Sequence, residues 1–254
     1  MKPLKNWDNK TWLSSQKYIQ TFNKFILKQV KLDKNSRILD IGCGRGKILA
    51  NLSNKLRLLN KPIGIDIENH KDKSKKIIFR KINALTFISK TKITFDLILI
   101  KQTIHLLKRK QVIKLLSICK NKLSPNGKII ILSLDPKKSE IPAFSLMKKK
   151  LQISLNKDEK LFRLILNNKF KIITKKFIYK VRILKKKYLQ MIKDRYISTL
   201  LNFDNKQILN GINEIKNDYG NILECKDRLI GLIIKNNLWV ITAIKCITIK
   251  TINK

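Results

Sequence analysis

Acidic residues are scarce in this chain: 17 Asp and Glu stand against 57 Lys and Arg over 254 residues, which gives a formal net charge of +40. Histidine occurs twice, and the four cysteines lie far apart, at Cys43, Cys119, Cys225 and Cys246. Because there is no CxxC pair and no Cys/His cluster, the sequence predicts no zinc site and no other metal centre. Free thiols of this kind fit a cytoplasmic protein.

Long apolar runs are also missing. No stretch approaches the roughly 20 apolar residues that a membrane-spanning helix needs. Residues 1–10, MKPLKNWDNK, are polar and lack the apolar region of a signal peptide. We therefore expect no membrane span and a cytoplasmic location. No pattern in the chain points to a particular oligomeric state.

The excess of lysine suggests a surface for nucleic acid, but its distribution favours another explanation. Lysine, isoleucine and asparagine are overused along the entire chain, as an AT-rich coding sequence would produce. Arginine, the better reader of phosphate and guanine, is scarce, and the lysines form no single block. We interpret the charge as mainly compositional, with a nucleic-acid surface as the alternative.

Residues 37–68 carry the most informative pattern. A short apolar run at residues 38–41 predicts a buried strand. Three glycines follow it, at Gly42, Gly44 and Gly46. A helical pattern comes next, and a second apolar run, residues 63–67, contains Asp66. Strand, glycine loop, helix, strand and acid together form one half of a nucleotide-binding unit.

Each part of this unit has a physical purpose. Glycines let the backbone turn tightly and let a ligand approach the peptide groups. Free N–H groups at the start of the helix favour an anionic group, and Asp66 lies where a carboxylate can accept both hydroxyls of a ribose. The spacing GxGxG departs from the dinucleotide fingerprint GxGxxG, and no GK[ST] follows, so a dehydrogenase or an NTPase is not favoured.

The sequence L-D-I-G-C-G-R-G, residues 39–46, resembles motif I of class I S-adenosylmethionine-dependent methyltransferases. The resemblance implies S-adenosylmethionine as the cofactor. It implies that Asp40 helps to place the amino group of this ligand, and that Asp66, with Ile67 beside it, holds the ribose. The loop that would hold the methionine part consists of Gly42, Cys43, Gly44 and Gly46.

Two later segments fit the same resemblance. Asn83 and Ala84 follow a third predicted strand, at the place where family members contact the adenine ring. A plain turn is the alternative reading of Asn83. Lys101 follows a fourth predicted strand, residues 94–100, whose continuous apolar character indicates burial on both faces. The resemblance places Lys101 near the methionine end and the methyl group.

His105 lies at the start of a predicted helix over residues 103–123. It is a weak candidate for a general base, and the alternative is a structural residue at the edge of the cofactor. The segment K-L-S-P-N-G-K-I-I-I resembles the family's L-x-P-G-G-x-L and predicts a turn followed by a fifth strand over residues 127–134. The likeness thus spans residues 35–135.

Residues 10–30 predict an amphipathic helix with aromatic residues on one face. In many small-molecule methyltransferases a leading helix folds over the cofactor. Trp12 and Tyr18 are therefore candidates for a lid that contacts the substrate, and the alternative is that both simply pack on the sheet.

The second half of the chain is predicted as a helix, a strand, two helices and a last strand, at residues 141–167, 172–184, 186–201, 205–219 and 238–248. In the family, helices inserted before the last strand cover the substrate. Arg195 and Tyr196 lie on the first of them and are weak candidates for holding an acidic substrate group. A plain surface helix is the alternative.

We therefore predict an α/β fold, a Rossmann-like three-layer α/β/α sandwich with a helical cap. The resemblance implies a seven-stranded, mostly parallel sheet in the order 3-2-1-4-5-7-6, with strand 7 antiparallel. The predicted divisions are an N-terminal helical lid (1–34), a cofactor-binding core (35–136) and a C-terminal part of the sheet (137–254). The substrate cap would occupy about 186–235.

The predicted function is transfer of a methyl group from S-adenosylmethionine to a small-molecule acceptor. Such an in-line displacement mainly requires the acceptor to be held close and aligned. An RNA or protein methyltransferase is one alternative, but the segment after the fourth strand reads K-Q-T-I and lacks the N/D-P-P-Y/F motif of exocyclic-amine enzymes. A non-catalytic S-adenosylmethionine-binding protein is the other, and the intact set of acids and glycines argues against it.

Overall fold

The computed structural model describes residues 11–236. The strands are β1 (Ile38–Ile41), β2 (Ile63–Asp66), β3 (Ile78–Lys81), β4 (Phe95–Lys101), β5 (Leu123–Leu134), β6 (Ile172–Leu184) and β7 (Ile222–Lys235). The helices are α1 (Gln16–Gln29), α2 (Lys47–Leu56), α3 (Ala84–Lys90), α4 (Arg109–Asn121), α5 (Ser145–Leu166), α6 (Lys185–Lys193) and α7 (Asn205–Asp218). Short 3₁₀ turns lie at Trp12–Ser14, Ile104–Leu106 and Ser198–Asn202.

The seven strands form one sheet in the order β3-β2-β1-β4-β5-β7-β6. β1 to β5 pair in parallel, and β7 pairs antiparallel with both β5 and β6. The predicted fold class is confirmed. β1 and most of β4 are buried, as expected for parallel strands covered by helices on both faces. Their carboxyl ends meet at one edge, where open α/β sheets bind ligands.

The alternation of side chains along β4 decides which residues face which helix layer. Leu97 and Leu99 pack in the same apolar cluster as Phe22 of α1. Ile98 and Ile100 pack in the other cluster, which includes α4. Lys101, two residues after Leu99, therefore projects on the α1 side of the sheet.

The predicted position of the seventh strand is wrong. Residues 238–248 lie outside the described residues, and the strand between β5 and β6 is Ile222–Lys235, so the helices of the cap end at Asp218. The segment contains residue types that are rare in strands, Glu224, Asp227 and Gly231. For this reason its sequence did not predict a strand. Backbone pairing on both sides stabilises it as a strand.

Two predicted helices are shorter than expected. The helix predicted over 103–123 is a 3₁₀ turn followed by α4, because Lys108 has an extended backbone and its N–H donates to the Gln111 side chain at 3.0 Å. The helix predicted over 186–201 ends at Lys193, and Arg195 has a φ of 52°. Within the described residues, no helix is both long and apolar enough to cross a membrane.

Candidate cofactor and acceptor site

The glycine loop turns sharply at the end of β1. The N–H groups of Gly42 and Cys43 both donate to the Ile65 carbonyl of β2, at 2.8 and 3.1 Å. Gly42 has a φ of 76°, and a Cβ there would lie 2.1 Å from Thr103 Oγ1. Gly44 has a φ of 55°, but a Cβ there would meet no atom within 4 Å. The loop is thus packed on its inner side and open at Gly44, where a ligand could approach.

The remaining loop residues support this turn. A Cβ on Gly64 would lie 2.7 Å from Cys43 Sγ, so the thiol packs against β2. Burial, with smaller contributions from the charges of Asp40 and Asp66, raises the pKa of the Cys43 thiol and keeps it uncharged. Gly46 precedes α2 with a φ of 69°. Cys43 therefore serves as a small packing residue of the loop.

Asp66 ties the loop to the end of β2. Its carboxylate accepts hydrogen bonds from Gly44 N at 2.9 Å and from Glu68 N at 3.0 Å, and His70 Nε2 lies 3.5 Å from Oδ2. Burial raises the pKa of Asp66, but the bonds from His70, Glu68 and Gly44 outweigh it and the net shift is downward. The carboxylate is charged at neutral pH, and Oδ1, which accepts only from Glu68 N, keeps a lone pair for a further donor.

Ile67, the next residue, is 58% exposed, which leaves an apolar side chain beside this acid. Asn83 caps α3: its side-chain oxygen accepts from Leu85 N at 2.9 Å and from Thr86 N at 3.4 Å. The turn reading of Asn83 is therefore present in the structure. A cap of this kind leaves the amide NH₂ of Asn83 and the backbone of Ala84 as the groups that could meet an adenine.

Asp40 is buried on β1, with 4% of its surface exposed. Its Oδ1 has no hydrogen-bond partner among the described residues. Burial raises the pKa of Asp40 to about 7, with the charge of Lys101 opposing the shift and that of Asp66 adding to it. A buried carboxylate oxygen without a donor is costly, so this atom fits a site that is completed by a ligand.

The end of β4 brings Lys101 and His105 to the same edge. The Lys101 ammonium lies 5.4 Å from the Tyr18 ring centre and 5.5 Å from that of Phe22. Gln102, which the sequence did not single out, has a φ of 50°, and such strain in a non-glycine residue often marks a functional site. His105 lies in a 3₁₀ turn, and burial lowers the pKa of its imidazole. The ring is neutral at pH 7 and able to accept a proton.

Asp227 of β7 is a site residue that the sequence analysis missed. It is 2% exposed, and Trp12 Nε1 donates to its Oδ2 at 3.4 Å, across 215 positions of the chain. The Tyr18 hydroxyl faces the same carboxylate without the geometry of a hydrogen bond, and its pKa is raised well above the usual value by burial first and by the Asp227 charge second. No local sequence signal marked Asp227, because its importance comes from pairing of β7 with distant strands.

The cap contributes two tyrosines to the same place. The Tyr188 and Tyr196 hydroxyls lie 3.1 Å apart, and the Trp12 ring centre lies 6.3 Å from Tyr188 and 5.4 Å from Tyr196. The structure thus brings together three of the predicted substrate residues, Trp12, Tyr18 and Tyr196. Arg195 is used differently: its Nη2 donates to Phe203 O at 3.2 Å and to Asn205 Oδ1 at 2.9 Å, which links the end of α6 to the start of α7.

The described residues fit S-adenosylmethionine at the carboxyl edge of the sheet. Gly44 leaves open space, Asp40 presents an unpaired oxygen, and Asp66 is a charged acceptor beside an exposed isoleucine. No three His, Cys, Asp or Glu side chains within residues 11–236 are grouped so that they could hold a metal ion. Two cavities, of about 670 and 930 Å³, lie away from the glycine loop, between α6 and α7 and at the amino edge of the sheet.

Comparisons with known proteins agree with this geometry. The model of a methyltransferase domain family matches residues 14–162. A protein assigned to antibiotic biosynthesis as a methyltransferase in Anabaena variabilis has a similar structure, with a TM-score of 0.59, 15% identity, and coverage of 83% of this chain and 95% of that one. No curated protein sequence matches the chain.

Two further solved structures share the fold. The plantazolicin methyltransferase BpumL, in complex with S-adenosylhomocysteine, aligns with a TM-score of 0.51 and 20% identity over 91% of this chain and 88% of its own. A SAM-dependent methyltransferase from Archaeoglobus fulgidus aligns with a TM-score of 0.52 and 19% identity over 87% and 94% of the two chains.

The family match covers more than half of the chain, so the protein belongs to the methyltransferase domain family. It is an S-adenosylmethionine-dependent methyltransferase of the class I fold, and S-adenosylmethionine is its cofactor.

Proposed function

We propose that this methyltransferase acts on a small-molecule acceptor. The observation that carries the proposal is the closed aromatic cluster beside the cofactor edge, in which Trp12, Tyr18, Tyr188 and Tyr196 are all buried. Three separate parts of the chain, the leading segment, α6 and the turn after it, meet there. Such a cover excludes water from a reacting sulfonium and suits a compact acceptor better than a polymer.

Within this proposal, the cofactor site is formed by Asp40, Gly42, Cys43, Gly44, Gly46, Asp66, Ile67, Asn83, Ala84 and Lys101. S-adenosylmethionine supplies an electrophilic methyl group on a charged sulfur. The glycine loop holds the methionine part of the ligand, Asp66 holds the ribose, and the Asp40 carboxylate faces the amino group. Trp12, Tyr18 and Tyr196 belong to the acceptor side, and Arg195 positions the cap.

His105 is the proposed proton acceptor for an acceptor group that carries a proton at neutral pH. Its neutral imidazole at the end of β4 supports the assignment. We retain as part of this proposal the division into a lid (1–34), a core (35–136) and a C-terminal part (137–254) with the substrate cap. The cap is narrowed to the helices before β7. We place the enzyme in the cytoplasm.

The test is methyl transfer from isotopically labelled S-adenosylmethionine to fractions of a cell extract, separated into small molecules, RNA and protein. We expect label in the small-molecule fraction with the wild type and much less with Asp66→Ala. Label in RNA or protein would overturn the proposed acceptor class. Calorimetry with S-adenosylhomocysteine tests the alternative of a non-catalytic binding protein. Binding of this ligand without methyl transfer to any fraction would indicate that alternative.

A further inference from the structure

Three charged groups form a row across the carboxyl edge of the sheet, two of them buried and the third, Lys101, half-buried. Asp40 of β1, Lys101 of β4 and Asp227 of β7 lie on the α1 side, because each continues the alternation of residues that pack against α1. The charge of Lys101 acts on both carboxylates, and in each case it opposes the effect of burial. The ammonium therefore lies between an acid at the cofactor loop and an acid in the aromatic cluster.

The cation of the row, Lys101, lies against aromatic rings. The Lys101 ammonium lies 5.4 Å from the Tyr18 ring centre and 5.5 Å from the Phe22 ring centre, within the range of cation–π attraction. Asp227 is 2% exposed and holds a hydrogen bond from the Trp12 indole. Only 17 of the 254 residues are acidic, and Asp227 has the smallest exposed fraction of the buried acids that the structure describes.

The charges of the row complement those of the methyl donor. With Lys101 as the one ammonium, the two carboxylates of the row leave one negative charge in excess when both are ionised, and the charged Asp66 beside Asp40 adds a second. S-adenosylmethionine carries a sulfonium, an ammonium and a carboxylate, a net charge of +1, whereas S-adenosylhomocysteine has no sulfonium and no net charge. An unbalanced charge in a buried site is costly, so the donor reduces the negative excess of this edge by one charge and the product does not.

We propose that Asp227, with the aromatic rings of Trp12 and Tyr18, raises the affinity of the site for the sulfonium of S-adenosylmethionine relative to the neutral thioether of S-adenosylhomocysteine. The inference rests on the proposed function, since it assigns a specificity role to a residue of the same site. Loss of the sulfonium on methyl transfer then weakens binding and favours product release. Asp227 is a positioning residue for the donor and takes no proton from the acceptor.

The test is calorimetric titration of the full chain with both ligands. We expect Asp227→Asn to weaken S-adenosylmethionine binding about tenfold and to change S-adenosylhomocysteine binding less than twofold. Asp227→Glu, which keeps the charge, should restore much of the ratio of the two affinities. Asp158→Asn is the matched control, because Asp158 is also a buried acid but lies in the second half of α5, whose buried residues pack in the cluster on the opposite face of the sheet.

A second variant keeps the inference testable if Asp227→Asn does not fold. Lys101→Met removes the cation from the row and should shift the ratio of affinities in the opposite direction, toward S-adenosylmethionine. An equal loss for both ligands in Asp227→Asn would overturn the inference, since Asp227 would then only hold Trp12 in place. If the wild type binds neither ligand, the cofactor assignment and the proposed function fail together. This result differs from one in which both ligands bind and Asp227→Asn leaves the ratio of their affinities unchanged.

Discussion

The carboxyl edge of the sheet has two halves that are built in different ways. The proposed cofactor half consists of the glycine loop and the acids Asp40 and Asp66, and the Asp66 carboxylate accepts hydrogen bonds from backbone N–H groups 22 and 2 positions away. The proposed acceptor half consists of Trp12, Tyr18, Asp227 and the cap tyrosines, and its contacts join positions up to 215 residues apart. Local backbone geometry defines the first half, and packing of distant elements defines the second.

This difference suggests how the two halves respond to change. A strained loop has few alternatives, because only glycine adopts its backbone angles at low cost. An aromatic cluster can repack, and conservative changes in it lose one interaction at a time. Mutations should therefore cost more in the cofactor half than in the acceptor half.

Gly42→Ala should give the largest effect. The new Cβ would lie 2.1 Å from Thr103 Oγ1 in a backbone with a φ of 76°. We expect a loss of roughly 2–4 kcal/mol in the free energy of unfolding, measured by urea denaturation. Gly220→Ala is the control, since a Cβ there meets no atom within 4 Å. Equal stability of the two variants would contradict the loop geometry.

Asp66→Ala should weaken S-adenosylmethionine and S-adenosylhomocysteine binding alike, by about 1–3 kcal/mol, because both ligands carry the same ribose. Calorimetry measures both affinities. The effect contrasts with that of Asp227→Asn, which should act on one ligand only. Unchanged affinity in Asp66→Ala would show that Asp66 does not hold the ribose. The distinction between the cofactor half and the acceptor half would then lose its support.

Asp40 makes the cofactor half sensitive to pH. Its pKa of about 7 in the folded protein exceeds the ordinary value of 3.8, so the folded protein binds more protons than the unfolded chain between these values. The contribution of Asp40 to stability is therefore greatest below about pH 4 and declines as pH rises to about 7. Donor binding, which favours the ionised carboxylate, should strengthen about tenfold from pH 6 to pH 8.

The control for this pH effect is Asp40→Asn. In this variant, the contribution of Asp40 to the pH dependence of donor binding and of stability should vanish. Titrations of the wild type and this variant over the same pH range distinguish protonation of Asp40 from protonation of the amino group of the ligand. Parallel pH profiles in the two proteins would show that another group is responsible.

Tyr196→Phe should have a small effect in the acceptor half. It removes the contact between the two tyrosine hydroxyls, which lie 3.1 Å apart, while Tyr188 keeps its bond to the Pro142 carbonyl. We expect a stability loss of about 1 kcal/mol by thermal or urea denaturation, with S-adenosylhomocysteine binding unaltered. A loss as large as that of Gly42→Ala would mean that the cluster cannot repack.

His105→Ala should leave cofactor affinity within about twofold of the wild type, because the methionine and ribose contacts are assigned to other residues. Turnover of an identified acceptor should fall by about 10²-fold or more if the imidazole accepts its proton. Intact turnover would remove His105 from the mechanism. Cofactor titration and a steady-state assay on the same preparation provide both measurements.

The cofactor half was predictable because its information is local: the glycine loop, Asp40 and Asp66 lie where the pattern predicted them. The order of strands, which the resemblance to the family implied, is confirmed by the structure. The predicted seventh strand was misplaced because β7 contains residues that disfavour strands and is stabilised by β5 and β6 on either side. Propensity cannot register such a contribution from distant partners.

What the sequence by itself determined was the class of protein and the ligand of its cofactor half, because glycines that tolerate positive φ, together with Asp40 and Asp66, match the motif of a known family. Only the tertiary structure decided that Asp227 joins Trp12 and Tyr18, and that Tyr188 and Tyr196 cover them. The physical reason is that burial and pairing between elements far apart in the chain arise only when the sheet closes around them.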